Sequence, residues 1–81
     1  MNYKLSKHAL AVIENRNIAP EWIDFVLNHP TREDTISLVE THFFSLITQN
    51  ENRCLKVVIN MTTNVVITVY FDRDMRKRGC K

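Results

Sequence analysis

Apolar residues fall at helical spacing in the first third of the chain, where Ser6 and Pro20 each mark the start of a helix. Behind each start, the apolar side chains cluster on one face of the segment. The stretch Asn28-His29-Pro30 ends the second segment, since the residue before a proline avoids helical backbone angles. The pattern predicts two helices, over about residues 6–15 and 20–28.

Alternating and β-branched apolar residues replace the helical spacing after residue 35. Polar, turn-forming residues divide this part of the chain into segments, and residues 31–35 form a polar connector that precedes them. A short edge strand at residues 36–40 is expected to lead into the first segment. The pattern predicts strands over about residues 36–48, 53–60 and 65–72, followed by a basic tail over residues 73–81.

Two helices followed by a run of strands indicate an α+β fold. Neither short helix can bury its apolar face alone, so both are expected to pack on one side of a three- to four-stranded antiparallel meander sheet. A chain of 81 residues is long enough for one compact domain and too short for two. The sequence therefore predicts a single domain over residues 1–81.

The composition, with 44% hydrophobic and 25% charged residues, excludes a disordered or low-complexity chain. Apolar runs are only a few residues long, whereas a membrane-spanning helix needs about 20. The first residues carry no apolar leader segment, so the sequence predicts no signal peptide and a cytoplasmic location without membrane attachment. The one glycine, at position 79, leaves no glycine-rich nucleotide loop, and no cofactor is expected.

The two cysteines, Cys54 and Cys80, do not have the spacing of a zinc module, with or without the histidines, so no metal ion is expected. Without a secretion signal, free thiols in a reducing compartment are the simplest interpretation. A disulfide between Cys54 and Cys80 is the alternative.

Charge is distributed unevenly along the chain, although the net charge is only +2. Residues 1–52 carry four basic and seven acidic side chains, whereas residues 53–81 carry seven basic and two acidic ones. Such a division indicates either a basic face that meets phosphate groups or a solvated basic tail.

Several short motifs follow one another along the chain: Leu5-Ser6-Lys7-His8-Ala9, Arg16-Asn17-Ile18, Asn28-His29-Pro30, and the strand-like stretches 53–59 and 66–73. In order and spacing they resemble a small bacterial family of unknown function, the domain of unknown function family 4258. Asn17 and Asn52 stand where glycine is common in that family, and both are turn positions that asparagine tolerates. The resemblance implies a fold similar to RelE-type toxins and colicin-type RNases, many of which cleave RNA without a metal ion.

Metal-free cleavage of RNA requires a base, an acid and a cation that stabilises the charged transition state. His8 is the candidate base or acid, because imidazole titrates near neutral pH. The alternative for His8 is a hydrogen bond to the sheet or to a connector. Arg53 and Arg73 flank strands and are the candidates for contact with the phosphate, because a guanidinium matches phosphate oxygens. Their alternative is ordinary charge at a strand edge.

Further candidates for nucleic-acid binding lie on the strands and in the tail. Lys56 and Tyr70 fall on the same face of their strands, where Lys56 could contact a phosphate and Tyr70 could stack on a base or donate a proton. Arg76 and Lys77 of the basic tail complete the set. As surface residues, all four need no special role. Arg16 is expected to form a structural ion pair or to cap a helix.

Two functions fit these observations. The first is an RNA-binding protein or metal-independent endoribonuclease that resembles RelE-type toxins, with RNA and an antitoxin-like protein as partners. The alternative is a non-catalytic interaction module, expected as a homodimer, because the aromatic residues are numerous for so small a core and strand edges invite pairing. These aromatic residues are Trp22, Phe25, Phe43 and Phe44. A single concave basic face would favour RNA, and scattered charges would favour the interaction module.

Overall fold

The computed structural model describes residues 2–78 and 80, without the side chains of residues 76–78, as an α+β protein built on a five-stranded mixed sheet. The elements in chain order are β1 (Lys4–Leu5), α1 (Lys7–Arg16), α2 (Pro20–Asn28), β2 (Arg32–Thr35), β3 (Glu40–Ile47), a 3-10 turn (Thr48–Asn50), β4 (Arg53–Asn60), β5 (Val65–Phe71) and α3 (Arg73–Arg78).

The strands lie in the order β1-β5-β4-β3-β2, with β1 parallel to β5 and the other neighbours antiparallel. The predicted α+β class is confirmed, but the predicted three- to four-stranded antiparallel meander is wrong. β1 adds a parallel pair, and its two residues are too few to carry a recognisable pattern. The helical connection between β1 and the rest of the sheet makes the parallel pairing possible.

The predicted strand over residues 36–48 is divided differently in the structure. β2 occupies the predicted polar connector, and residues 36–39 form the turn into β3. In that turn the hydroxyl of Ser37 accepts hydrogen bonds from the backbone N–H groups of Val39 and Glu40. β2 is an exposed edge strand with no buried face, so it lacks the alternation by which strands are recognised, and its charges protect the edge from pairing.

The two N-terminal helices begin where the capping residues predict. Ser6 is the N-cap of α1: its side chain accepts a hydrogen bond from the N–H of Ala9, and its hydroxyl donates to the carbonyl of Ile67 in β5. Asn17 ends α1 in the left-handed conformation, with φ of 53°, which asparagine tolerates better than most residues. In the described part of the chain, no helix is long and apolar enough to cross a membrane.

Both N-terminal helices pack on the same face of the sheet, as predicted. The buried side chains between them and the sheet are Ala9, Ile18, Ile23, Val26, Leu27, Phe43, Ile47, Leu55, Val57, Ile59, Val66 and Val69. The strand residues in this set point to one side because side chains alternate along a strand.

The chain after β5 folds back over the opposite face of the sheet. There α3 begins the predicted basic tail, and Cys80 packs with Phe44 and Cys54, flanked by Leu46 and Met75. Cys54 and Cys80 form a disulfide with a Cα–Cα distance of 6.0 Å. The prediction of two free thiols is therefore wrong, because the reversal of the chain after β5 places the two residues within bonding distance.

Candidate anion-binding cavity

An open cavity of about 690 Å³ lies where α1 ends and where the paired ends of β4 and β5 meet. The β4–β5 register brings these parts together: Leu55 lies opposite Phe71, so Arg53 and Arg73 come to the same end of the strand pair. The residues that line the cavity are Val12, Arg16, Asn17, Ile18, Trp22, Asn50, Arg53, Thr68, Val69, Tyr70, Phe71 and Arg73. We call this feature the arginine cavity.

Three arginines line the arginine cavity: Arg16, Arg53 and Arg73. Among the described residues, no aspartate or glutamate lines it, and none of the three arginines forms an ion pair. A concave surface that gathers positive charge without compensation attracts anions, and guanidinium groups match the oxygens of phosphate. The cavity is therefore suited to an anionic ligand.

Aromatic rings hold one of these arginines in place. The guanidinium carbon of Arg53 lies 4.5 Å from the centroid of the Phe71 ring. The ring of Trp22 in turn meets Phe71 edge to face, with centroids 6.2 Å apart and an interplanar angle of 67°. A guanidinium stacked on a ring keeps the N–H groups at its rim available for hydrogen bonds in its own plane.

Lys56 and Tyr70 face each other on β4 and β5, as the alternation of the strands predicts. The ammonium group of Lys56 donates a 2.8 Å hydrogen bond to the hydroxyl of Tyr70, and it lies 5.0 Å from the centroid of the Tyr70 ring. Tyr70 lines the arginine cavity, but Lys56 does not. The pair therefore places the charge of Lys56 beside a residue of the cavity, on the sheet face opposite the two N-terminal helices.

The structure separates His8 from the rest of the predicted catalytic set. His8 is exposed in the first turn of α1 and does not line the arginine cavity. Arg16, which does line it, is eight residues further along the same helix, a rise of about 12 Å. Arg53 and Arg73, by contrast, lie together at the cavity. The side chains of Arg76 and Lys77 lie outside the described residues.

The described residues hold no group of three or more His, Cys, Asp or Glu side chains that could bind a metal ion. Of the histidines, His42 has its Nε2 at a hydrogen-bond distance of 2.7 Å from a carboxylate oxygen of Glu40, and His29 is the C-cap of α2. Cys54 is taken up by the disulfide.

The sequence interpretation missed the role of Arg16. It expected Arg16 to form a structural ion pair or to cap a helix, but among the described residues Arg16 forms no ion pair, and it lines the arginine cavity. Trp22 is only partly buried and also lines the cavity. The available signal was the position of Arg16 in the last turn of a helix, directly before the left-handed Asn17 that turns the chain toward α2.

A family model described as "Domain of unknown function (DUF4258)" matches residues 5–71, which is most of the chain. The matched range includes Arg16 and Arg53, whereas Arg73, α3 and Cys80 lie beyond it. No curated protein and no solved structure matches the chain. The likeness to RelE-type toxins and colicin-type RNases stays a prediction.

Proposed function

The chain belongs to the family described as "Domain of unknown function (DUF4258)", and we propose that it binds single-stranded RNA in the arginine cavity. The observation that carries this proposal is the convergence of three arginines and three aromatic rings on one cavity that no described carboxylate lines. A concave basic face supports the RNA hypothesis over the interaction module, and Arg53 and Arg73 line this cavity together with Arg16.

The arginines supply the contacts to the phosphate backbone. Arg16, Arg53 and Arg73 reach the cavity from three different elements, so together they can contact successive phosphates of an extended strand. Each phosphate that they neutralise releases a counterion, which makes the affinity depend steeply on salt. The cavity volume of about 690 Å³ is within the range of about 300–1,000 Å³ that ligand sites occupy.

The aromatic residues supply the contacts to the bases. Trp22, Phe71 and Tyr70 line the same cavity as the arginines. A base stacked on an aromatic side chain contributes roughly 1–3 kcal/mol of binding free energy, with little preference for sequence. Bases within a duplex are already stacked and paired, so this arrangement favours a single strand.

The proposal extends from RNA binding to cleavage of the bound RNA without a metal ion. Among the predicted acid–base groups, Tyr70 lines the arginine cavity, whereas His8 lies outside its lining. A proton transfer at a bound RNA would therefore fall to Tyr70, with Lys56 held against its hydroxyl. The arginines would stabilise the charge that develops on the phosphate.

The test is a binding and cleavage assay with single-stranded RNA at low salt in the presence of EDTA. We expect the wild type to bind, and the variant with Arg16, Arg53 and Arg73 all changed to alanine to lose that binding. Arg32→Ala is the matched control, because Arg32 lies on the distant edge strand β2 and is already paired with Asp34. Wild type that fails to bind, or a triple variant that binds as well as wild type, would refute the proposal.

The same assay separates binding from catalysis. If the protein cleaves RNA in EDTA, we expect Tyr70→Phe to slow cleavage while binding persists. His8→Ala tests the earlier candidate, and the position of His8 outside the cavity predicts unchanged binding. Binding without cleavage would support the proposed RNA binding and would contradict the proposed endoribonuclease activity.

A second candidate function, a homodimeric interaction module, has its own observation. Ile36, Leu38, Val39 and Met61 are all exposed, and Leu38 is fully so. The two turns that carry them touch, since the N–H of Met61 donates a 2.6 Å hydrogen bond to the carbonyl of Val39. Such a patch supports contact with another protein surface. Sedimentation tests it: a dimer that Leu38→Glu converts to a monomer supports this function, and a wild-type monomer at high concentration contradicts it.

Most of the aromatic residues whose number suggests an interaction module have a place within the fold itself. Phe43 and Phe44 are buried, and Trp22 lines the arginine cavity. Phe25 stays about half exposed, with its ring 5.5 Å from that of His29. The case for dimerisation therefore depends on the turn residues and not on the aromatic ones.

A further inference from the structure

Among the described residues, the helix α3 is attached to the sheet by the packing of Met75 and by the Cys54–Cys80 disulfide. It has six residues, which is too short for a helix to be stable without tertiary contacts. The carboxylate of Asp72 accepts a 3.1 Å hydrogen bond from the N–H of Met75, and Cys80 donates a 2.9 Å backbone hydrogen bond to Met75. The Cys54–Cys80 disulfide is the covalent part of this attachment.

The attachment of α3 also positions an arginine of the cavity. Arg73 is the first residue of α3 and lines the arginine cavity. Directly before it, the N–H of Asp72 donates a 2.8 Å hydrogen bond to the carbonyl of Cys54. Arg53 in turn directly precedes Cys54 in β4. The disulfide therefore fastens α3 to the strand end that carries Arg53, and Arg73 belongs to that helix.

We propose that the Cys54–Cys80 disulfide regulates the RNA affinity of the arginine cavity. With the disulfide intact, α3 is held against the sheet and Arg73 faces the cavity beside Arg53. With the disulfide reduced, α3 detaches and Arg73 leaves the cavity. This inference rests on the proposed RNA-binding function, since it concerns the same site.

The chemistry is an ordinary thiol–disulfide exchange with a dithiol reductant. One thiolate of the reductant attacks a sulfur of the Cys54–Cys80 bond and forms a mixed disulfide, and the other cysteine leaves as a thiolate. The second thiolate of the reductant then displaces the remaining cysteine and closes the reductant's own disulfide. Two electrons pass to the protein, and Cys54 and Cys80 each take up a proton.

Burial makes the exchange depend on the position of α3. Cys54 is 1% exposed and Cys80 is 0% exposed, so a thiol cannot reach either sulfur while the segment is docked. Reduction therefore requires a local opening of the segment that carries Met75 and Cys80. If the disulfide raises the affinity for RNA, bound RNA must disfavour reduction by the same factor, because coupling between two equilibria is reciprocal.

The experiment measures the affinity of the oxidised and the reduced protein for the same single-stranded RNA, with dithiothreitol as the reductant. Loss of one arginine–phosphate contact predicts roughly tenfold weaker binding after reduction. The disulfide-free variant, with Cys54→Ser and Cys80→Ser, is expected to bind like the reduced wild type and not to respond to dithiothreitol. Circular dichroism establishes that every form compared is folded at the temperature of the assay.

Two further variants keep the test independent of the folding of the serine variant. Arg73→Ala retains the disulfide, and we expect weaker binding that no longer changes on reduction. Arg16→Ala is the matched control: it weakens binding, but the response to dithiothreitol persists, because Arg16 belongs to α1. Equal affinity of the oxidised and reduced wild type would overturn this inference alone. Failure of the oxidised wild type to bind RNA would overturn the proposed function, and this inference with it.

Discussion

The guanidinium of Arg53 stacks on the ring of Phe71, with the guanidinium carbon 4.5 Å from the ring centroid. Arg53 opens β4 and Phe71 closes β5, so the stack bridges the two strands at the end where the arginine cavity lies. The ring of Trp22 packs edge to face on the same Phe71 ring, which connects α2 to the stack. The guanidinium of Arg53 is therefore positioned by aromatic packing, and it forms no ion pair with a described carboxylate.

This stack predicts different effects for two changes of Arg53. Arg53→Lys keeps the charge but loses the planar group that stacks, so we expect weaker RNA binding with an unchanged dependence on salt. Arg53→Ala also removes a phosphate contact, so we expect a larger loss and a slope of log affinity against log salt that is shallower by about 0.7. Fluorescence anisotropy with labelled RNA at several salt concentrations measures both. The same two changes at Arg32 are the controls, and equal slopes for Arg53→Ala and wild type would contradict the contact.

Trp22 predicts a stacking contribution that is independent of charge. Trp22→Leu is expected to weaken RNA binding by about 1–3 kcal/mol without a change in the salt slope, because a stacked base is lost and no phosphate contact is. Phe25→Leu is the matched control, since Phe25 is an exposed aromatic residue of the same helix that does not line the cavity. Equal losses for the two variants would show that stacking at Trp22 plays no part.

The disulfide predicts a contribution to the free energy of unfolding that is separate from its effect on binding. Cys54 and Cys80 are 26 residues apart, and closing a loop of that length stabilises a protein by roughly 3.5 kcal/mol. We expect the variant with Cys54→Ser and Cys80→Ser to lose about that amount in urea unfolding. Reduced wild type should agree with the variant. A difference below about 0.5 kcal/mol between oxidised and reduced protein would contradict this prediction.

Tyr3 predicts a loss of stability at alkaline pH. Burial raises the pKa of the Tyr3 phenol well above its usual range, and the hydrogen bond to Asp24 and the charge of that carboxylate add to the effect. In the unfolded chain this phenol titrates near its usual value of about 10, so above that pH the unfolded state loses its proton first. The stability that Tyr3 contributes is therefore present below about pH 10 and is lost as the pH rises further.

The measurement compares the free energy of unfolding of wild type and Tyr3→Phe at a series of pH values. The difference in free energy of unfolding between wild type and Tyr3→Phe should shrink as the pH rises above about 10. Asp24→Asn removes the carboxylate and lowers the pKa of Tyr3 in the folded state. Its own alkaline decline should still begin near pH 10 but should end at a lower pH and be smaller than that of wild type. If this difference does not change with pH, Tyr3 has the same pKa in the folded and the unfolded protein, which would contradict the prediction.

Local chemistry was enough to predict the helices, the long strands and the positions of two of the arginines beside strands. Ser6 and Pro20 mark the starts of their helices, because the preferences for residues at a helix N-terminus depend on only a few neighbouring residues. Arg53 and Arg73 flank strands that the alternation of apolar residues already defines. A short hairpin connection between those strands implies that the two arginines come to the same end of the pair.

The parts that sequence could not predict depend on distant contacts. β2 has no buried face, so its sequence has the pattern of a polar connector. β1 has only two residues, and it is a strand only because it pairs with β5. Arg16 joins the cavity because α1 packs beside β5, and no residue near Arg16 signals that packing. The disulfide depends on the reversal of the chain after β5, which Asp72 fixes by its hydrogen bonds.

The central claim is that three arginines contact RNA phosphates in one cavity, and the salt dependence of binding tests it most directly. Trp22 is the single tryptophan of the chain and lines the cavity, so its fluorescence reports binding there without a label. Three phosphate contacts to a single strand predict a slope of log affinity against log salt of about −2 for the wild type. With Arg16, Arg53 and Arg73 changed to alanine, the slope should fall close to zero. A slope that the triple variant retains, or no response of Trp22 to RNA at low salt, would contradict the account.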